Sequence, residues 1–224
     1  MFNQIRNLLS ADATPRTESQ WERLLHEEAK PRLAALGFQS ARRLTYKRKF
    51  ADRTESISIS GRVTSRGFSF GSGVAVTFHQ IQPLFLPERD AVTVGAPLHY
   101  LCGQPAELEW HAASVPHLNE AVARMIAKTM EVAAPFFERV NSVAALGREL
   151  ASGWLISRTP LGPPYRDMLA RTIEFLEGRE PATVLRRVAE TIQTETMSPS
   201  DRQLWREFSE RLREAVCHEV GGAA

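Results

Sequence analysis

The feature that most constrains this chain is a regular alternation of apolar and polar residues through two consecutive segments, 54–64 and 67–80. A period of two residues is that of a β-strand with one buried face. The connection between the segments has hairpin length, so they are predicted to pair as antiparallel strands. The side chains of the predicted outer face are small or polar, and they are Ser56, Ser58, Ser60, Arg62, Ser69, Gly71, Gly73, Ala75, Thr77 and His79.

A third strand is predicted immediately before this hairpin, over residues 42–51. Its apolar side chains share one face with a single charged exception, Arg48. Sequential strands joined by tight turns form antiparallel meanders, which commonly bury only one face. A further short strand at about 106–111 would bring the sheet to four strands.

Helical patterns flank these strands. Residues 17–36 show apolar side chains at helical spacing, with Ser19 and Glu22 spaced as a capping box. Pro31 lies inside this pattern and predicts a kink or a split into two helices. Residues 115–139 form a second amphipathic helix, and both long helices are expected to cover the apolar sheet face.

The C-terminal third of the chain is predicted to be helical. Shorter helices are expected at 141–151, 164–177, 181–194 and 199–216, with residues 153–164 as a connection. The predicted fold class is therefore α+β, with an antiparallel sheet of three to four strands, helices on one face and a helical C-terminal region. Residues 1–152 form the α+β domain, and residues 153–224 either form a separate unit or pack as part of it.

Basic residues concentrate on the predicted sheet. Residues 39–80 contain eight basic and two acidic residues, whereas the remaining chain has twenty basic and twenty-four acidic residues. Four of these cations are expected on the outer sheet face, where they would bind phosphate groups, and they are Arg43, Lys47, Lys49 and Arg62. The alternative is a solvated face whose lysines discourage edge pairing. The phenylalanines fall on the core side, which argues against base stacking with single-stranded RNA.

A weaker set of residues has the chemistry of metal ligands. His99, Cys102 and His111 are candidate zinc ligands, accompanied in the sequence by Glu107, Glu109 and His117. The spacing lacks the paired pattern of a structural zinc site, so these residues are expected to be surface polar groups. We expect no metal and no cofactor, and a metal-dependent hydrolase is the second alternative function.

Catalytic signatures are missing from the sequence. No nucleophile elbow, P-loop or dinucleotide fingerprint is present, and Gly71-Ser72-Gly73 lies within a strand pattern. Cys102 and Cys217 form no C-x-x-C motif, which favours a reducing compartment such as the cytoplasm. The first ten residues resemble a short amphipathic helix rather than a signal peptide, and no membrane association is expected.

The final helix carries an apolar stripe that includes Trp205, Phe208 and Leu212. Such a stripe docks on its own protein in most globular folds. The open alternative is that these three side chains bind the groove of a partner, which would be another protein or a second copy of the chain.

Four segments of the chain carry a resemblance to a known family. The run from Pro31 to Phe38 leads into Leu44-Thr45-Tyr46-Lys47-Arg48, and later segments contain Glu109-Trp110 and the run from Ala134 to Val143. This order resembles a bacterial family of small α+β domains of unknown function over roughly residues 20–150. The resemblance implies the fold and brings no established activity, so it assigns no catalytic residue.

These observations predict a non-catalytic binding or accessory protein of a bacterial cytoplasmic system. The first alternative is a nucleic-acid- or phosphate-binding protein that uses the basic sheet face. Its partner is expected to be another protein or a second copy, with nucleic acid as the other possibility. No motif in the sequence indicates catalytic residues.

Overall fold

The computed structural model describes residues 17–86, 92–104, 108–194 and 197–221. Over these ranges the chain is α+β, as the alternation and the helical patterns predict. The amphipathic helix predicted for residues 1–10 lies outside the described residues.

The strands form one antiparallel sheet in the order β1-β2-β3-β4-β5, and β6 pairs with β4 beyond the end of β5. The sheet therefore has six strands in the described residues, more than the three to four predicted. Short strands such as β1 and β5 show no periodic pattern, because four residues complete only two alternations. The strands are β1 (Gln39–Arg42), β2 (Thr45–Lys49), β3 (Arg53–Thr64), β4 (Gly67–Phe78), β5 (Val94–Pro97) and β6 (Trp110–Ala112).

Nine helices are present in the described part of the chain. The region predicted as a connection at 153–164 contains a short helix, which is a correction to the sequence analysis. The helices are α1 (Glu18–Ala35), α2 (Gln82–Phe85), α3 (Leu98–Cys102), α4 (Val115–Arg139), α5 (Val143–Ala151), α6 (Trp154–Arg158), α7 (Pro163–Leu176), α8 (Pro181–Ile192) and α9 (Pro199–Gly221).

The N-terminal cap of helix α1 lies two residues earlier than predicted. Thr17 has extended backbone angles, and its side chain accepts from the Gln20 amide while the Gln20 side chain accepts from the Thr17 amide. This is a capping box, so the motif was predicted correctly and its position, Ser19 with Glu22, was wrong. The helix also continues through Pro31 to Ala35 as one element, so the predicted split is wrong.

Helices α1 and α4 cover the apolar face of the sheet, as predicted. Trp21 of α1 stacks on Phe68 of β4, with ring centroids 5.4 Å apart and planes 2° from parallel. Phe38, which follows α1, packs against Phe137 of α4 at 6.3 Å. Burial of such large rings contributes more to the core than any single polar contact.

A buried ion triad lies on the same face of the sheet. The carboxylate of Glu55 is 1% exposed and accepts from both Arg48 and Arg53. The Arg48 Nη2 atom lies 2.6 Å from Oε2, and the Arg53 Nη2 atom lies 3.2 Å from Oε1. Arg48, the charged exception in the sequence pattern, is therefore on the core side because Glu55 pairs with it directly across the strands.

Tyr46 is a further polar side chain that is buried between α1 and the sheet. Its hydroxyl lies 2.9 Å from Nδ1 of His26, and the two rings stack at 5.8 Å. Burial raises the pKa of Tyr46 to about 12, because the interior disfavours the phenolate.

The C-terminal helices dock on the body of the chain. Trp205, Phe208 and Leu212 are fully buried and belong to the same apolar cluster as the sheet core. Arg211 of α9 donates to the carbonyl oxygens of Leu84 and Phe85 in α2, at 2.9 and 3.2 Å. The apolar stripe of α9 therefore packs inside its own protein, and these three side chains have no surface to offer a partner.

The hairpin between β3 and β4 gives a testable prediction at Gly67. Its φ angle is +119°, and a Cβ atom there would collide with the carbonyl oxygen of Ala112 in β6. We expect Gly67→Ser to lower the free energy of unfolding by roughly 1–3 kcal/mol, through backbone strain and overpacking. Denaturant unfolding followed by circular dichroism measures this change.

Gly162→Ser is the matched control for this prediction. Gly162 precedes α7 with φ near −65°, has no atom close to its missing Cβ, and occupies a capping position that serine favours. We expect no loss of stability in this variant. Equal losses at the two positions would contradict the strain assigned to Gly67.

Candidate functional site

The outer face of the sheet is built by the register of β2 to β5. Lys47 lies opposite Ser56, which pairs with Ala75 and then Gly95, so these four residues form one row across the strands. The next row begins with Lys49. Because alternate residues of a strand share a face, the row between them, which contains Arg48, Glu55, Val76 and Val94, faces the core. The outer face is therefore the small and polar surface that the sequence predicts.

This face is concave and holds a depression of about 640 Å³. Its walls come from the strands β1 to β5, from His79 and Val92 in the adjoining loops, and from Gln82 at the start of α2. All of these residues lie between positions 42 and 97, so the long helices α1 and α4 contribute no part of the lining. The depression thus opens on the side of the sheet that faces away from the core.

The charged lining of the depression is entirely basic among the described residues. Arg42, Lys47 and Lys49 line it, and no aspartate or glutamate does. Within the described part of the chain, neither lysine makes a hydrogen bond or an ion pair with another side chain. Two ammonium groups without counter-charges beside a row of hydroxyls provide a site for an anion.

The structure separates the four basic residues predicted to act together. Lys47 and Lys49 line the depression, and Arg42, which was not predicted, joins them. Arg43 lies in the turn after β1 with φ of 39°, and its exposed guanidinium is 3.8 Å from Glu22 of α1. That turn takes Arg43 away from the outer face, because the strand predicted at 42–51 is in fact two strands.

Arg62 lies on the outer face and is paired. Its Nη2 atom is 2.7 Å from Oε1 of Glu109, whose other oxygen accepts from the Ser69 hydroxyl at 2.6 Å. These residues line a neighbouring depression of about 240 Å³ at the far end of the sheet. The pair joins the segment before β6 to β3 and β4, so Arg62 contributes to the fold there.

The candidate metal ligands do not come together in the described residues. His99 and Cys102 lie on α3, His111 lies on β6, and no group of three metal-binding side chains forms within the described ranges. His111 Nε2 is 3.9 Å from Glu109 Oε2. Glu107, another member of the predicted set, lies outside the described residues.

His79 is held by two hydrogen bonds at the edge of the depression. Its Nδ1 atom lies 3.2 Å from the carbonyl oxygen of Ala51, and Nε2 lies 3.0 Å from the hydroxyl of Thr54. A carbonyl can only accept, so Nδ1 donates, and in the neutral imidazole Nε2 accepts from Thr54. The imidazole is thus used to join β3 to the end of β4.

Comparison with known proteins found no match to this chain among family models, curated proteins or solved structures. In the described residues, no helix combines the length and the apolar composition that a membrane crossing requires. The interpretation of the site therefore depends on its own geometry and charge.

Proposed function

We propose that this protein is a non-catalytic binding protein that holds an anionic ligand on the outer face of its sheet. The observation that carries this proposal is the depression of about 640 Å³, in which the charged side chains that the structure describes are all basic. The lysines at 47 and 49 have no counter-charge in the described residues, so an anion would supply the missing partner.

The side chains around the depression support binding rather than catalysis. A general base needs a free acceptor atom within reach of the ligand, and the acceptor nitrogen of His79 is occupied by Thr54. The hydroxyl of Ser72 points to the core, where it lies 2.7 Å from the hydroxyl of Thr129 in α4. Serine hydroxyls on the outer face therefore have no activating base among the described lining residues.

We extend the proposal to the compartment and to the partner of the protein. We place the protein in the cytoplasm of a bacterium, and the two cysteines, both free thiols, fit a reducing environment. A protein partner bound through Trp205, Phe208 and Leu212 is not part of this proposal, because those side chains are buried. The proposed partner is the anionic ligand instead.

The proposal predicts that the lysines of the depression dominate anion binding. The chain has four lysines, and two of them, Lys47 and Lys49, line the depression. We expect inorganic tripolyphosphate to bind at low salt, and the double variant Lys47→Gln/Lys49→Gln to weaken that binding at least tenfold. Isothermal titration calorimetry measures both affinities, and binding is expected to fall as salt rises.

The other two lysines provide a control of the same residue type and charge. Lys30 lies on α1 and Lys128 on α4, away from the outer face. We expect Lys30→Gln/Lys128→Gln to change the affinity less than twofold. Equal weakening in the two double variants would show that only net charge matters and would contradict the proposal.

A further inference from the structure

The distribution of charge within the depression defines the ligand more narrowly. Arg42, Lys47 and Lys49 lie on β1 and β2, at one side of the depression. Among the residues that the structure describes, the opposite side, on β4 and β5, is formed by Gly73, Ala75, Gly95 and other small uncharged residues. A complementary ligand would therefore carry its negative charge at one end only.

The floor of the depression changes gradually from polar to apolar. Between the lysines and Gly95 lie Ser56 and Ser58 of β3. The Ser56 hydroxyl donates to the carbonyl oxygen of Ala75 at 3.4 Å, and the exposed Ser58 hydroxyl can donate to a hydroxylated ligand body. At Gly95 a Cβ atom would lie 2.5 Å from the Cβ atom of Ala75, so the small side chains are required by the close packing of the strands. This packing leaves a smooth, uncharged surface beside the polar row.

The dimensions of the depression match a small molecule. Its volume of about 640 Å³ falls within the range of about 300–1,000 Å³ that is typical of small-molecule sites. From β2 to β5 there are three interstrand spacings, which span about 14 Å, and residues 45–49 span about the same length along the strand. The resulting footprint of roughly 200 Å² is well below the 800 Å² or so that each partner of a stable protein interface buries.

A single-stranded nucleic acid fits this surface less well. Binding of such polymers uses aromatic side chains on which bases stack, and no phenylalanine, tyrosine or tryptophan lines the depression among the described residues. Phe68, Phe70 and Phe78 of β4 are buried on the opposite face. The charged side chains that line the depression in the described residues also lie at one side of it, rather than in a row that could follow a polymer backbone.

From these features we infer that the ligand is a small phosphate monoester with an uncharged organic body. The phosphate group lies at Lys47 and Lys49. The organic body lies over Ala75 and Gly95. This inference depends on the proposed function, because it takes the same depression as the binding site.

The test compares phosphate with its esters on the full chain. The probes are inorganic phosphate, phenyl phosphate, glucose phosphate, adenosine monophosphate and single-stranded oligo-dT, each titrated at low salt by calorimetry. We expect at least one of the three esters to bind at least tenfold more tightly than inorganic phosphate. We also expect Ala75→Leu to remove this advantage while inorganic phosphate still binds, because leucine would fill the uncharged side.

Ser58→Leu provides a second variant in case Ala75→Leu fails to fold. The Ser58 side chain is exposed at the centre of the depression, so enlarging it leaves the core unchanged. The same loss of the ester advantage is expected.

The outcomes separate this inference from the proposed function. If the esters bind no better than inorganic phosphate, while binding still depends on Lys47 and Lys49, the inference is overturned and the proposed function stands. Much tighter binding of oligo-dT that depends on the same lysines would also overturn it, in favour of a nucleic-acid ligand. If no probe binds and tripolyphosphate also fails to bind, both are overturned.

Discussion

Replacing Glu55 with glutamine is expected to lower the free energy of unfolding by about 3 kcal/mol, the lower end of the range for breaking a buried ion pair. The carboxylate is 1% exposed and is shared by two guanidinium groups, Arg48 and Arg53. Glutamine keeps the shape of the side chain but removes the negative charge, so two cations would face each other without compensation. The arginines retain some access to water, which is why we expect the lower end of the range.

Glu190→Gln is the control for this effect. Glu190 lies 4.0 Å from Arg186 on α8, and both side chains are largely exposed. Exposed pairs of this kind contribute at most about 0.5 kcal/mol, so little change is expected. Urea unfolding of the two variants measures the difference. If Glu55→Gln lowered the free energy of unfolding by less than about 1 kcal/mol, the ion triad would contribute little to holding β2 against β3.

Replacing Trp205 with alanine is expected to lower the free energy of unfolding by about 3–5 kcal/mol. The indole is 1% exposed and packs edge-on against Phe208, with ring centroids 5.7 Å apart. The substitution removes a large apolar side chain and leaves a cavity between α9 and its neighbours. Thermal and denaturant unfolding both report this change.

Arg206→Ala separates loss of packing from loss of the helix. Arg206 is the next residue of α9, its side chain is exposed, and alanine favours helix at least as well. We expect a change within about 0.5 kcal/mol. If Trp205→Ala were equally mild, the apolar stripe of α9 would not be part of the core, and partner binding through it would return as the better explanation.

The alternation of the sequence was sufficient to place the longest strands and the character of both sheet faces. Ile57 and Phe70 lie on the core side and Ser56 on the outer side, as a period of two requires. Helices α1 and α4 were also found by pattern, because their apolar stripes are long enough to show the helical period. Local sequence thus encodes the face on which each side chain lies.

The sequence predicted only part of the candidate site, because the rest depends on contacts and shapes that no local pattern encodes. The pairing of Arg62 with Glu109 joins residues 47 positions apart, and no local pattern reports such a contact. The displacement of Arg43 follows from a turn with positive φ at a non-glycine residue, which the sequence does not signal. The concavity of the outer face depends on how five strands twist together, so Lys47 and Lys49 were identified while the shape around them was not.

The most direct test of the central claim is a nuclear magnetic resonance titration of the isotope-labelled full chain with inorganic tripolyphosphate. Binding in the depression predicts that the largest amide shift changes centre on Lys47, Lys49, Ser56 and Ala75, which lie together on the outer face. Changes centred instead on the groove between α5 and α7, near Arg148 and Arg166, would contradict the account. An absence of shift changes at low salt would contradict it as well.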